Sequence, residues 1–79
     1  MTLDGFESGC NARITRVDWA TLAQDEAKRL QALGVDEGVE IAIIHRGVFG
    51  GRDPIAMRLG NMTIAIRRAH ARAISVEAV

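Results

Sequence analysis

A small, mostly β fold is predicted: an antiparallel barrel of about five strands, with one α-helix between strands 1 and 2 and a short helical turn before the last strand. Three observations carry it. Residues 54–67 read as a hairpin with a single register, and only one substantial segment, from about Leu22 to Leu33, repeats apolar residues at helical spacing. At 79 residues and 48% hydrophobic content the chain, 1–79, is expected to form one domain around one core.

Taken in order, residues 2–8 are an irregular leading segment in which Leu3 and Phe6 are placed to lie on the core. Gly9 ends it. Cys10, Ala12 and Ile14 alternate with Asn11, Arg13 and Thr15, the period of a half-buried strand that is expected to end near Val17. The helix is expected from about Leu22, with Thr21 as N-cap and Asp25 and Glu26 near the positive end of its dipole. Leu22, Ala23, Ala27, Leu30 and Leu33 face inward, while Gln24, Asp25, Glu26, Lys28 and Arg29 face out.

Gly34 supplies a left-handed helix ending, after which Val35 can pack back on Leu30. Asp36-Glu37-Gly38 makes a turn, and strand 2 runs from Val39 to about His45 with Val39, Ile41 and Ile43 on one face. Ile44 breaks the alternation with Glu40 and Ala42, which leaves it either buried under a neighbouring element or part of an exposed apolar contact. A glycine-rich loop, 47–53, precedes Pro54, a residue suited to open an edge strand.

In the hairpin, Gly60-Asn61 suits a type II′ turn and pairs Leu59 with Met62. Met57 then meets Ile64 and Ile55 meets Ile66, so one face is wholly apolar, while Arg58/Thr63, Ala56/Ala65 and Pro54/Arg67 share the other. A slip by one residue would turn six large apolar side chains to water, which fixes the register. Residues 68–72 are expected to form the helical turn, and 73–79 the last strand with Ile74 and Val76 inward.

Composition excludes several function classes. Ten acidic and ten basic residues cancel, against general binding to a phosphate backbone, and stacking aromatics are scarce, so no nucleic-acid partner is expected. No apolar run approaches a membrane span and no leader pattern is visible, so the chain is expected to be soluble and unprocessed. The lone Cys10 forms no internal disulfide, in keeping with a reducing cytosol. Cys10, His45 and His70 are the soft or imidazole ligands present; none stands at a ligand-pair spacing with another, so no bound metal or other cofactor is expected.

Cys10 falls on the inward face of a predicted strand, and Ser8 and Ser75 lack a nucleophile elbow, so no enzyme is expected. The charge balance hides a split: residues 1–40 carry eight acids and four bases, residues 41–79 two acids and six arginines. Solvated outer faces account for most such arginines. Trp19, just before the helix, is either a lid on the core or an exposed anchor, and the loop tip at Phe49 either inserts into a partner or folds back on the barrel.

One resemblance spans almost the whole chain. Leu3, Gly9, Ala12 and Ile14, then Arg29-Leu30 and Leu33-Gly34, Gly38, Asp53-Pro54, and Ile66-Arg67 leading to Ala73-Ile74 and Val76 resemble the ferrous-iron transport protein A (FeoA) family. The resemblance implies an SH3-like barrel and a cytosolic accessory or regulatory protein of the Fe(II) transporter FeoB, whose soluble part is a GTP-binding domain, at the inner membrane face only through that partner. It makes Leu30, Leu33, Gly34, Gly38 and Arg67 structural motif residues. The family's Gly-Asp-Pro run is interrupted here by Arg52, between Gly51 and Asp53, so the path of this loop is expected to differ from that in relatives.

The candidate partner-binding residues are Arg29 on the outer helix face and Arg46, Val48, Phe49, Arg52, Asp53 and Pro54 around the loop. An arginine finger from Arg52 or Arg46 is a bolder version, disfavoured because few loop arginines act in trans. The alternative is a stand-alone SH3-like sensor or interaction module related to the C-terminal domain of iron-dependent repressors. Exposed strand edges and Ile44 also offer a surface for weak self-association.

Overall fold

The computed structural model describes residues 1–6, 9–46 and 54–79, and the side chains of all of these but residues 45 and 46. A 3-10 turn, Leu3–Gly5, leads into strands β1 (Asn11–Val17), β2 (Glu40–Arg46), β3 (Ile55–Leu59), β4 (Met62–Ile66) and β5 (Ile74–Ala78). Helix α1 (Gln24–Leu33) lies between β1 and β2, and the single turn α2 (Arg68–Ala71) between β4 and β5. The five strands form one antiparallel sheet in the order β4-β3-β2-β1-β5, curled around one core to which every strand contributes. The mostly β, SH3-like barrel architecture expected from the sequence is therefore what is observed.

Alternation explains most of the core. Ala12 and Ile14 of β1, Ile41 and Ile43 of β2, and Ile74 and Val76 of β5 point inward, and Leu3 and Phe6 close one end. Two bulges depart from strict alternation. In β1 the register against β5 shifts between Ile14 and Arg16, which brings Val17 rather than Arg16 to the core. In β2 the register against β3 shifts between Ile43 and His45, and Ile44, half-buried, is the extra residue. That bulge is the physical reason why Ile44 broke the expected pattern.

The β3–β4 register is the one the sequence fixes by its turn: Leu59 with Met62, Arg58 with Thr63, Met57 with Ile64, Ala56 with Ala65, Ile55 with Ile66. Gly60 has φ 62° and no non-glycine residue among those described has positive φ, so only the first turn residue is left-handed, as a type II′ turn requires. Met62 is 40% exposed, because it sits beside the turn on an edge strand with no neighbour beyond it among the described residues. Pro54 precedes β3, which is an interior strand between β2 and β4 and not the edge strand expected from the proline.

Four further expectations are corrected. The α-helix begins at Gln24, because Leu22 is extended (φ −89°, ψ 146°) and a 3-10 turn, Trp19–Thr21, occupies the preceding residues. Thr21 caps nothing: its hydroxyl donates to the Asp18 carbonyl at 3.0 Å, and Ala23 stands at the N-cap position without a side-chain bond. Leu22 still reaches the core from outside the helix, whereas Ala23 is exposed. Cys10 precedes β1 and is exposed, rather than lying on its inward face.

Helix α1 ends as expected. Gly34 has φ 99°, its N–H donates to the Gln31 and Leu30 carbonyls, and Val35 N–H returns to the Leu30 carbonyl at 3.0 Å with its side chain buried. A Cβ on Gly34 would meet only Leu59 Cδ2, at an ordinary 3.6 Å, so strain in Gly34→Ala comes from the backbone alone. We expect that variant to lose about 1 kcal/mol in urea unfolding, the cost of a left-handed alanine. Gly5→Ala, with open space around it and no positive φ, should lose nothing. Equal losses in the two variants would contradict this assignment.

Candidate functional site

The most densely bonded polar cluster among the described residues joins α1 to α2 and to the edge of the sheet. The α1 sequence puts Glu26 and Arg29 one turn apart, and their side chains form a two-pronged pair: Arg29 Nε donates to Glu26 Oε1 and Nη2 to Oε2, each at 2.9 Å. Arg29 Nη2 also donates to the Ala65 carbonyl at 3.2 Å. A two-residue turn makes Leu59 and Met62 a hydrogen-bonded pair, so Ala65, three positions on, directs its carbonyl away from β3. Arg29 thereby covers an acceptor that an edge strand would otherwise present to solvent.

His70 of α2 completes the cluster, with Nδ1 3.1 Å from Glu26 Oε2, close enough for an ion pair when protonated but not aligned as a hydrogen bond. The Arg29 hydrogen bonds, foremost, hold the Glu26 carboxyl below its ordinary range against the opposing effect of burial, and the same pair raises the Arg29 guanidinium. A carboxyl lowered by folding stabilises the fold above its unfolded value, 4.5, and that contribution disappears as pH falls through the lower folded value. Glu26→Gln should therefore cost about 1 kcal/mol at neutral pH, a modest figure because Arg29 is half-exposed and screened. Urea unfolding repeated at progressively lower pH should show the gap from the unsubstituted chain closing; a gap independent of pH would count against the pair.

A second cluster pins the leading segment to α2. Asp4 accepts from the Thr2 hydroxyl, the main cause of its lowered pKa, and lies 3.6 Å from Arg72 Nε. On the outer face of the sheet Arg13 stands between Glu40 and Glu77, at 3.4 and 3.5 Å, an exposed charge ladder across β2, β1 and β5. Exposed pairs of this kind contribute little stability.

Of the residues expected to touch a partner, Arg29 is placed on the outer helix face but commits its Nε and Nη2 donors to Glu26 and Ala65. Sequence spacing showed the Glu26–Arg29 pair's one-turn separation and could not show Ala65 or His70, which arrive through the sheet and α2. Pro54 is half-buried at the start of β3. Val48, Phe49, Arg52 and Asp53, and the Arg46 side chain, lie outside the described residues, although Arg46 itself ends β2. The motif residues have structural places: Leu30 is fully buried, Leu33 packs partly against the core, and Gly38 N–H donates to the Ile14 carbonyl at 2.7 Å. Arg67 is the exposed N-cap of α2, whose carbonyl accepts from His70 and Ala71.

Trp19 is half-buried and packed against the core, so it acts as a lid, with part of the ring facing a surface groove. Among the described residues no group of three or more His, Cys, Asp or Glu could hold a metal ion, and no helix is long and apolar enough to cross a membrane. Cys10 is a free thiol at the rim of a hollow with Phe6 and Val79.

This architecture, a five-stranded curled sheet with one helix after β1, agrees with the family comparison: the model of the FeoA domain matches residues 1–78. The chain belongs to the FeoA family. Iron(II) transport protein A from Clostridium thermocellum superposes with a TM-score of 0.84 at 32% identity, over 100% of this chain and 46% of that one. The chain thus spans about half the length of that relative. The FeoA of Stenotrophomonas maltophilia, an SH3-domain protein solved in complex with zinc, gives 0.81 at 27% identity over 98% of this chain and 89% of its own. A manganese-dependent transcriptional repressor gives 0.81 at 16% identity over 100% of this chain and 41% of that one, a likeness of fold alone. None of the curated proteins matches the chain. FeoA domains are small SH3-like accessory domains and not a known enzyme family, and the names of these FeoA structures suggest a role in ferrous iron transport.

Proposed function

We propose that this chain is a cytosolic accessory protein of ferrous-iron uptake that works by binding a FeoB-type Fe(II) transporter on its cytosolic side. The observation that carries the reading is the FeoA-domain match over residues 1–78, joined by the likeness to a protein described as iron(II) transport protein A. The physical character of the chain supports it. Several of its polar side chains hold elements together, no metal-holding cluster occurs among the described residues, and the interior is wholly apolar among those residues, which favours surface recognition as the means of action.

The contact surface is taken to include the loop 46–53, where Phe49 offers an apolar anchor between Arg46 and Arg52. Arg29 contributes less than its exposure suggests, since binding through it would break bonds it already makes. The test is association of the purified chain with the transporter's soluble GTP-binding domain and with the full transporter in detergent. Association at micromolar protein, weakened about tenfold or more by Phe49→Ala, is expected. No association with either form would overturn the reading.

A further inference from the structure

A groove of about 500 Å³ opens between the 3-10 turn before α1 and the end of that helix, lined by Trp19, Gln31, Gly34, Val35, Asp36 and Val39. Its construction follows from two features of the chain. Trp19 is half-buried against the core and also lines the groove, so it forms one wall. The left-handed turn at Gly34 folds the chain back so that Val35 is buried in the floor and Asp36 stands at the rim.

The one charged residue that lines this groove is acidic. The C-terminal end of a helix carries partial negative charge that a lysine, arginine or histidine in the last turn commonly offsets. Helix α1 has no basic residue there, and none of the six lining residues is basic. Asp36 adds a full negative charge. One of its oxygens accepts from the Glu37 N–H at 2.8 Å, and the residue is exposed. Asp18 and Glu37, the chain neighbours of Trp19 and Asp36, have the same sign.

We propose that this groove receives an arginine or lysine side chain from an extended segment of another protein. An aromatic face, a helix C-terminus and a carboxylate converge on the same space, and each favours a cation. The indole attracts a guanidinium or ammonium through its quadrupole, Val39 receives the aliphatic stem, and Asp36 with the helix end receives the charged head. Arginine fits best, because its planar head stacks on the ring while still donating to the carboxylate. An acidic side chain would meet like charge on two sides. A purely apolar one would strip water from Asp36 and Gln31 without replacing their hydrogen bonds. The inference does not depend on which protein supplies the segment, nor on the transport reading.

Trp19 is the only tryptophan and the chain has no tyrosine, so intrinsic fluorescence reports on the groove directly. N-acetyl-arginine methylamide should change that emission saturably in low-salt buffer and shift the amide NMR signals of residues 34–39. The norleucine and glutamate analogues should bind at least about fivefold more weakly. Asp36→Asn, a change on the exposed rim that leaves the fold intact, should weaken the arginine probe about threefold, as should added salt. A linear, non-saturating response up to the solubility limit would overturn the proposal. Equal binding of the norleucine probe, or an Asp36→Asn variant that binds as well, would do the same. The experiment contains no transporter, so its failure leaves the proposed function standing, and failed transporter association leaves this groove standing.

Discussion

Leu30→Ala should lower the stability of the chain by about 3 kcal/mol and its melting temperature by about 15 °C. Leu30 is the one buried residue of α1, with no exposed surface; Ala27 and Leu33 on the same side are only partly covered. The apolar hold on the helix is therefore concentrated in one side chain, and a ten-residue helix is too short to persist by propensity. A domain of this size is stable by roughly 8 kcal/mol, so the loss is a large share of the total. Gln31→Ala, one residue along on the exposed side, should change stability by less than about 0.5 kcal/mol. Circular dichroism during heating of the two variants decides the matter. A loss below about 1 kcal/mol for Leu30→Ala would mean that the polar cluster of Glu26, Arg29 and His70, and not the leucine, keeps α1 on the sheet.

Local chemistry made much of the fold legible. The hairpin register, the helix ending at Gly34 and the inward residues of β1, β2 and β5 each follow from a short stretch whose alternation, helical spacing or turn residues admit one solution. The failures cluster where two elements decide together. Thr21 has the chemistry of an N-cap, yet its hydroxyl finds the Asp18 carbonyl in the 3-10 turn, and the helix starts two residues later than the cap rule suggests. Val17 and Ile44 are displaced from simple alternation by bulges that exist only in relation to a neighbouring strand. Cys10 lost its expected place because β1 begins one residue after it.

The surface was less legible, for a related reason. Arg29 reads as a free outward arginine because its partners are a residue one turn away, itself also met by a histidine on a different helix, and a carbonyl 36 positions along. The Trp19 groove could not be read either, since its walls come from the segment before α1 and the segment after it, joined only when Gly34 reverses the chain. What the sequence did disclose was the excess of acid in residues 1–40, the half of the chain that contains both walls. The pattern of the whole FeoA family, by contrast, was visible in the order of small motifs, because each marks a backbone turn or a core position that the fold requires.

Met57→Ala should cost about 3 kcal/mol, whereas Thr63→Ala across the same hairpin should cost less than about 0.5. Met57 lies on an interior strand of the sheet, with Ile43 opposite it on β2 and Ile64 opposite it on β4, and has no exposed surface. Thr63, one position from Ile64, faces solvent. The contrast is a direct test of register, because a shift of one residue would exchange the roles of the two faces of β4. A double-mutant cycle sharpens it. Met57→Ala and Ile64→Ala remove atoms from a shared contact, so their effects should depart from additivity by about 0.5 kcal/mol or more, while Met57→Ala and Thr63→Ala should add. The turn makes the same demand from the other end, since Gly60 at φ 62° fixes Leu59 opposite Met62 and every later pair follows in twos. Additive losses for Met57 with Ile64, combined with coupling between Met57 and Thr63, would show that β4 runs one residue out of this register and that its apolar face looks outward.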